Sequence, residues 1–313
     1  MWAENYGSVG RIGRARVAGR APATVCGVCR LFGLSAGIEP VTATFWLLQA
    51  PDSLEAQSHR DPDGTGLGYF DADGAPHIDK RPLAAFSDRA FAEEARTIAS
   101  ATFVAHIRFA STGALESRNT HPFEQRGRLF AHNGVIGSLP ELERQVGADM
   151  SLVGGDTDSE RFFALITAET ERCGGDVGAG ITAAARWVAA NLPVYAINLV
   201  LVTGSDLWAL RYPDTHELHL LERAPGTPLH HKSSHGTTVH SDHGATRKTV
   251  VVASEMMDSD PAWRALESGE LIHVSPDLTV SSEIAVPDPP AHPLRLEDLD
   301  PHARASQSVH QKG

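Results

Sequence analysis

Three kinds of residue in this chain have the types that amide cleavage requires: a thiol, fixed charges of both signs, and a side-chain amide beside a glycine. Cleaving an amide through a thioester needs a thiolate, a base to generate it, and donors for the tetrahedral oxyanion. Cys29 is the thiol of interest. A cysteine at a chain terminus brings its own base, because an α-amine titrates near about pH 8 and lies beside the thiol. Val28 stands just ahead of Cys29, and a GTG codon, which encodes Val internally, also starts translation as Met. Taken alone, Cys29 reads equally as a small buried apolar residue. Arg108 ends an apolar segment, where a solvated arginine is the ordinary reading. Asp158 opens a helical segment, where the macrodipole already favours an acid. Asn133-Gly134 reads as a tight turn, with Gly free to take positive φ.

The elements that must position these residues follow from patterning. Residues 29–35 read as a first strand through Leu31, Phe32 and Leu34; residues 65–71, 103–109 and 128–132 read as further strands, and residues 91–99 as a helix. Residues 39–48 are apolar, but Pro40 and the β-branched Val41, Thr42 and Thr44 leave their type open. Ser138-Leu139-Pro140-Glu141 and Thr157-Asp158-Ser159-Glu160 are both capping boxes. Helices are therefore expected from about Pro140 and from Asp158, the latter with Phe162, Phe163 and Ile166 at near-helical spacing. Another helix is expected over 181–190, then strands over 196–203, 207–212, 217–221 and 249–253. Strands flanked by helices, with hairpins prominent, indicate a mixed α+β layered domain rather than a doubly wound parallel sheet.

Four segments stand in order: Cys29-Arg30-Leu31-Phe32-Gly33-Leu34; His106-Ile107-Arg108-Phe109-Ala110-Ser111-Thr112-Gly113 followed by Asn119-Thr120-His121-Pro122-Phe123; Ala131-His132-Asn133-Gly134-Val135-Ile136; and Gly155-Asp156-Thr157-Asp158-Ser159-Glu160. Their order and spacing resemble the glutaminase domain of the class II glutamine amidotransferases, which are N-terminal-nucleophile hydrolases. The likeness is greatest to stand-alone members, including the γ-glutamyl amidohydrolase of ergothioneine synthesis, and runs from Cys29 to about residue 280.

The resemblance implies a four-layer αββα sandwich with one catalytic domain over 29–285 and a mobile tail over 286–313. It implies that Cys29 is nucleophile and base together, and that the Asn133 amide and the Gly134 N–H form the oxyanion hole, where one donor is typically worth about 2.7–4 kcal/mol. Arg108 becomes the bidentate clamp on a substrate α-carboxylate, assisted by Ser111. Asp158 becomes the counter-ion of the α-ammonium. His132, Asn119 and His121 sit in the same motifs and would shape the pocket. The implied reaction is attack of Cys29 on a γ-glutamyl amide, release of ammonia or amine, and hydrolysis of the thioester to glutamate. No metal or organic cofactor is implied. The substrate is glutamine or a larger γ-glutamyl conjugate, and any ammonia acceptor would belong to a separate synthase subunit. A degenerate, non-catalytic binding subunit is the alternative of a different class.

Bulk properties set limits on this reading. The formal net charge of -12 argues against a nucleic-acid or anionic-membrane partner. The 3 cysteines are too few for a disulfide framework and fit a reducing cytoplasm. No apolar run reaches the roughly 18 residues of a membrane-spanning helix. Residues 1–28 carry Arg11, Arg14, Arg16 and Arg20 against the single acid Glu4 and lack an apolar signal block. A transit peptide is one reading; the preferred one is a leader absent from the active protein. Cys26-Gly27-Val28-Cys29 spells C-x-x-C, but no second ligand pair supports zinc and no helix follows to support a redox motif. Gly64-Thr65-Gly66-Leu67-Gly68 runs into a strand rather than opening a helix, so it lacks a phosphate-binding terminus. The histidines from His230 to His243 read as a solvated hairpin rather than a metal site.

Overall fold

The computed structural model describes residues 29–60, 62–108, 116–225, 230–232, 238–240 and 247–307. The expected leader, Cys26 and Ser111 lie outside them.

Strand alternation explains the layers, since successive side chains point to opposite faces. One sheet runs Arg264–Ala265, His219–Arg223, Thr249–Ala253, Arg30–Ser35, Thr102–Arg108, Gly64–Phe70, Pro76–Arg81. The other runs Val280–Ile284, Glu270–Val274, Leu207–Leu210, Pro193–Val202, Arg128–Ile136, Phe123–Gln125, with His292–Pro293 joined in parallel to Pro193–Val202. Leu31 and Val104 of the first sheet meet Leu129, Ala131, Val200 and Leu207 of the second in a shared inner core. Phe32, Leu34, Phe103 and Ile107 point the other way, toward Trp46 and Phe91 of the helical segments Phe45–Gln49 and Arg89–Thr97. Phe130, Ile197 and Leu199 turn outward from the second sheet onto Phe162 and Phe163 of helix Asp158–Arg172 and Ile181 of helix Val177–Asn191. Each fully buried Leu, Ile or Phe in these layers stabilises the fold by about 1.5–3 kcal/mol. The order is helix, sheet, sheet, helix: the four-layer αββα sandwich.

Several local expectations are corrected. Asn133-Gly134 is not a turn; both residues lie inside strand Arg128–Ile136, opposite Asn198 and Ile197. The glycine is required by close approach, since a Cβ there would lie 1.8 Å from the Ala196 carbonyl oxygen. The tight turn falls earlier, at Arg126 and Gly127, which both have positive φ. Ser138 adopts φ 54° and makes no side-chain cap, so the first capping box does not form, although helix Leu139–Val146 does. The second forms by half. Thr157 Oγ1 accepts from Glu160 N at 3.3 Å, whereas the Glu160 carboxylate accepts from Gly155 N at 2.6 Å.

The segment expected as a mobile tail is docked as far as residue 307. His292–Pro293 pairs with Pro193–Val194, and Leu299 and Ala303 are buried against Val135, Tyr195 and Ala196. Its apolar residues, diluted by proline and charge in the sequence, find a partner only once the second sheet exists. In the histidine-rich stretch, His230–Lys232 pairs with Thr238–His240 as the expected hairpin.

Candidate functional site

The same alternation brings the candidate residues to one end of the inter-sheet space. Leu31 faces the inner core, so Cys29, two residues earlier, emerges on that side. Val104 also faces inward, and His106 and Arg108 follow it at the same period. From the opposing sheet Leu129 and Ala131 face inward, and Asn133 continues their row. The register places Arg30 opposite Ile107, which brings Cys29 beside Arg108. Across the sheets, Asn133 Nδ2 donates to the Cys29 carbonyl oxygen at 3.0 Å. Asn133 Oδ1 is buried and has no hydrogen-bond partner among the described residues.

Gly66, in the glycine-rich run, lets the His121-Pro122 segment cross closely over its strand beside the site. A Cβ there would meet the His121 carbonyl oxygen at 1.9 Å, so only glycine admits this crossing. The crossing brings His121 against His106, with ring centroids 4.3 Å apart and planes tilted by 45°. Asn119 then ties this segment to the fourth motif, accepting from Asp156 N at 2.8 Å.

Asp158 is buried at the start of its helix. One carboxylate oxygen accepts from Ile136 N and the other from Ser159 N, both at 2.9 Å. These bonds fix the helix start against the end of the Asn133-Gly134 strand. His132 faces the helix side of that strand, with Nδ1 2.9 Å from Ser159 Oγ. Burial lowers the pKa of His106 to about 3 and that of His121 well below the usual range, with repulsion from Arg108 adding to both. Burial also lowers His132, against the pull of Asp158. Burial pushes the Arg108 guanidinium down, opposed by Cys29 and Asp63.

Cys29, Arg108, His132, Gly134 and Asp158 thus line a single narrow cleft, with the Asn133 side chain reaching it through Cys29. His106, Asn119 and His121 share its walls, as do Thr157, Ser159 and Gln307. Gln307 carried no signal in the sequence, because it sits in the stretch read as a tail. No group of three or more potential metal ligands occurs among the described residues. A much roomier cavity, about 760 Å³, lies beside Trp208 and His273 and contains none of the motif residues. The chemistry follows the residues rather than the volume.

A sequence profile described as glutamine amidotransferases class-II matches residues 28–291. The chain belongs to this family. Among its relatives, the γ-glutamyl-hercynylcysteine sulfoxide hydrolases of Mycobacterium tuberculosis and Mycolicibacterium smegmatis are 27% and 28% identical over 245 and 240 residues. Those matches cover 75% and 73% of this chain and 88% of each relative. An uncharacterised protein of Methanocaldococcus jannaschii is 27% identical over 231 residues, 71% of this chain but only 63% of that protein. Among solved structures, a glutamine aminotransferase class-II domain protein from Silicibacter pomeroyi superposes with TM-score 0.55 at 19% identity, covering 82% of this chain and 98% of that one. The glutamine phosphoribosylpyrophosphate amidotransferase of B. subtilis gives TM-score 0.58 at 19% identity over 83% of this chain and 50% of that one. Both share the class II amidotransferase fold with this chain.

Proposed function

We propose that this class II amidotransferase hydrolyses a γ-glutamyl amide with Cys29 as the nucleophile. The observation that carries the reading is the 3.0 Å bond from Asn133 Nδ2 to the Cys29 carbonyl, which brings a rigid amide donor from the opposite sheet to the thiol residue. In this reading the active protein begins at Cys29, through initiation at codon 28 followed by removal of the initiator Met, or through cleavage of the Val28–Cys29 bond. The freed α-amine takes the thiol proton, and Sγ attacks the glutamyl δ-carbon. Asn133 Nδ2 and the Gly134 N–H receive the oxyanion. The C–N bond breaks as the leaving amine takes the proton, and water then hydrolyses the thioester to glutamate, restoring the thiol. Arg108 holds the α-carboxylate with Ser111 assisting, Asp158 pairs with the α-ammonium, and His132 braces the wall. No metal or organic cofactor is called for.

Glutamine is the first substrate to test. A larger γ-glutamyl conjugate is the second substrate to test, after the relatives named for γ-glutamyl-hercynylcysteine sulfoxide hydrolysis. A separate ammonia-accepting synthase subunit is the partner to test for if ammonia is passed on. The cytoplasm is the compartment that suits a free nucleophilic thiol, and no helix among the described residues is long and apolar enough to cross a membrane.

Cys29→Ala should abolish turnover and keep the thermal midpoint within a few degrees, and 6-diazo-5-oxo-norleucine should label Cys29 and leave Cys173 untouched. Intact mass should show Cys29 at the terminus of active protein. Wild-type rates in the mutant, or full activity in protein that still carries residues 1–28, would overturn the mechanism.

A further inference from the structure

One wall of the cleft comes from beyond the stretch that matches the family profile. The family match ends at residue 291, yet Gln307 is 1% exposed and lines the cleft together with Cys29 and Gly134. Residues 292–307 reach that position as a strap packed on Val135, at the end of the oxyanion strand, and on Tyr195 and Ala196 of its neighbour. Strand His292–Pro293 adds to Pro193–Val202, Leu294 N bonds the Val194 carbonyl at 2.8 Å, and Leu299 and Ala303 close over Val135, Tyr195 and Ala196. The strap's end is then latched. His216 Nε2 donates to Gln307 Oε1 at 2.6 Å, and His216 is itself buried beneath it. The cavity beside Cys29 is about 20 Å³, room for roughly one water molecule.

We infer that this C-terminal strap sets the substrate range of the site, with Gln307 as a wall that admits a small amide leaving group, of the size of ammonia, and obstructs bulky ones. The inference rests on the γ-glutamyl amidase reading and narrows it to glutamine-like substrates. Gln307 is well suited to such a wall. It is held by a neutral hydrogen bond rather than an ion pair, so it presents an amide to the cleft without adding charge beside Arg108 and Asp158. Docking through one short parallel pair and a small apolar cluster leaves the strap separable from the sandwich, whose three main cores contain none of its residues.

The test uses the protein beginning at Cys29, its Gln307→Gly variant, and the same protein ending at residue 291. Two quantities are read: the rate at which iodoacetamide alkylates Cys29, located by peptide mass, and the ratio of kcat/KM for γ-glutamyl-p-nitroanilide to that for glutamine. In Gln307→Gly the alkylation rate should rise at least about fivefold and the ratio at least about tenfold, with the shortened chain moving both further. General loosening of the fold would lower both kcat/KM values together and leave their ratio in place. An unchanged alkylation rate in both variants overturns the wall. A faster alkylation with an unchanged ratio overturns its role in selectivity. If the parent chain cleaves neither substrate while alkylation still responds, the γ-glutamyl amidase reading fails and the strap's closure of the Cys29 site stands.

Discussion

Replacing Gly134 by Ala isolates what the strand position of this residue contributes. The added Cβ would lie 1.8 Å from the Ala196 oxygen, 2.4 Å from the Ala196 carbonyl carbon and 2.9 Å from His132 Nε2. The first two are backbone atoms of the neighbouring strand, so no rotamer change relieves the overlap. Ordinary contact needs about 3.4 Å, and strands Arg128–Ile136 and Pro193–Val202 would have to part locally by on the order of 1 Å or more. Overpacking of this kind typically costs about 1–3 kcal/mol, and the backbone overlap puts Gly134→Ala at the upper end. The functional loss should be larger. Asn133 is the next residue, and a misplacement of about 1 Å in catalytic geometry can cost on the order of 100-fold in rate. Steady-state kinetics with glutamine should therefore show kcat reduced about 100-fold with KM little changed, since the glutamyl-binding charges lie elsewhere. Urea unfolding should show a lowered midpoint. A variant with kcat within threefold of the parent and an unaltered midpoint would refute both the strand placement and the oxyanion assignment.

Arg108→Ala and Asp158→Ala should each lower kcat/KM for glutamine at least about 30-fold, since leaving a buried charge unpaired costs about 2–5 kcal/mol; the double mutant should lose less than the product of the two. If Asp158→Ala still discriminates against the des-amino analogue of glutamine as strongly as the parent does, its carboxylate serves only Ile136 N and Ser159 N. Stability should fall as pH drops below 6.5, because unfolded histidines take up protons there while buried His106 and His216 refuse them until about 3 and about 4. The sign follows from the unfolded state binding more protons across that window, and two such groups amount to about 4 kcal/mol at pH 5. Equal urea midpoints at pH 7 and pH 5 would contradict it. Burial lowers the Lys80 pKa to about 8, so its charged form destabilises the fold at neutral pH, and the penalty lifts as pH rises from about 8 towards 10.5. Lys80→Met should raise stability at pH 7 by about 1–2 kcal/mol after allowance for partial exposure, and a lower thermal midpoint would show that the bond to the Pro122 carbonyl matters more.

What the sequence made legible was residue type in order; what it concealed was direction. Cys29, Arg108 and Asp158 stand out in the sequence only through four motifs in the order of a known family, and helix Asp158–Arg172 because Thr157 caps it and its apolar residues recur at helical spacing. Asn133-Gly134 was misplaced because the dipeptide has the same appearance in a turn as in a strand that another strand approaches closely. Only the register against Asn198 and Ile197 distinguishes the two. Residues 292–307 were read as a tail because their apolar residues are sparse, and burial of Leu299 and Ala303 depends on a surface made by Val135, Tyr195 and Ala196 far away in the chain. The wall formed by Gln307 follows from that docking, which no local pattern encodes.

The cleft's electrostatics are compatible with the proposed glutamyl substrate. Three imidazoles, from His106, His121 and His132, line the same space as Arg108 and Asp158. Were they protonated, they would repel Arg108, compete for a substrate carboxylate and turn the site into a general anion trap. Burial instead lowers the pKa of all three, so they stay neutral at physiological pH. The charge pattern facing a ligand is then one buried cation and one buried anion, each held by its own strand end or helix start. That pattern suits a molecule carrying an ammonium and a carboxylate on one carbon. It disfavours a simple dianion, which would face Asp158 without compensation, and a simple amine, which would face Arg108. In the proposed site, neutral histidines would leave the choice of substrate to Arg108 and Asp158, and none of the three rings needs to take part in proton transfer.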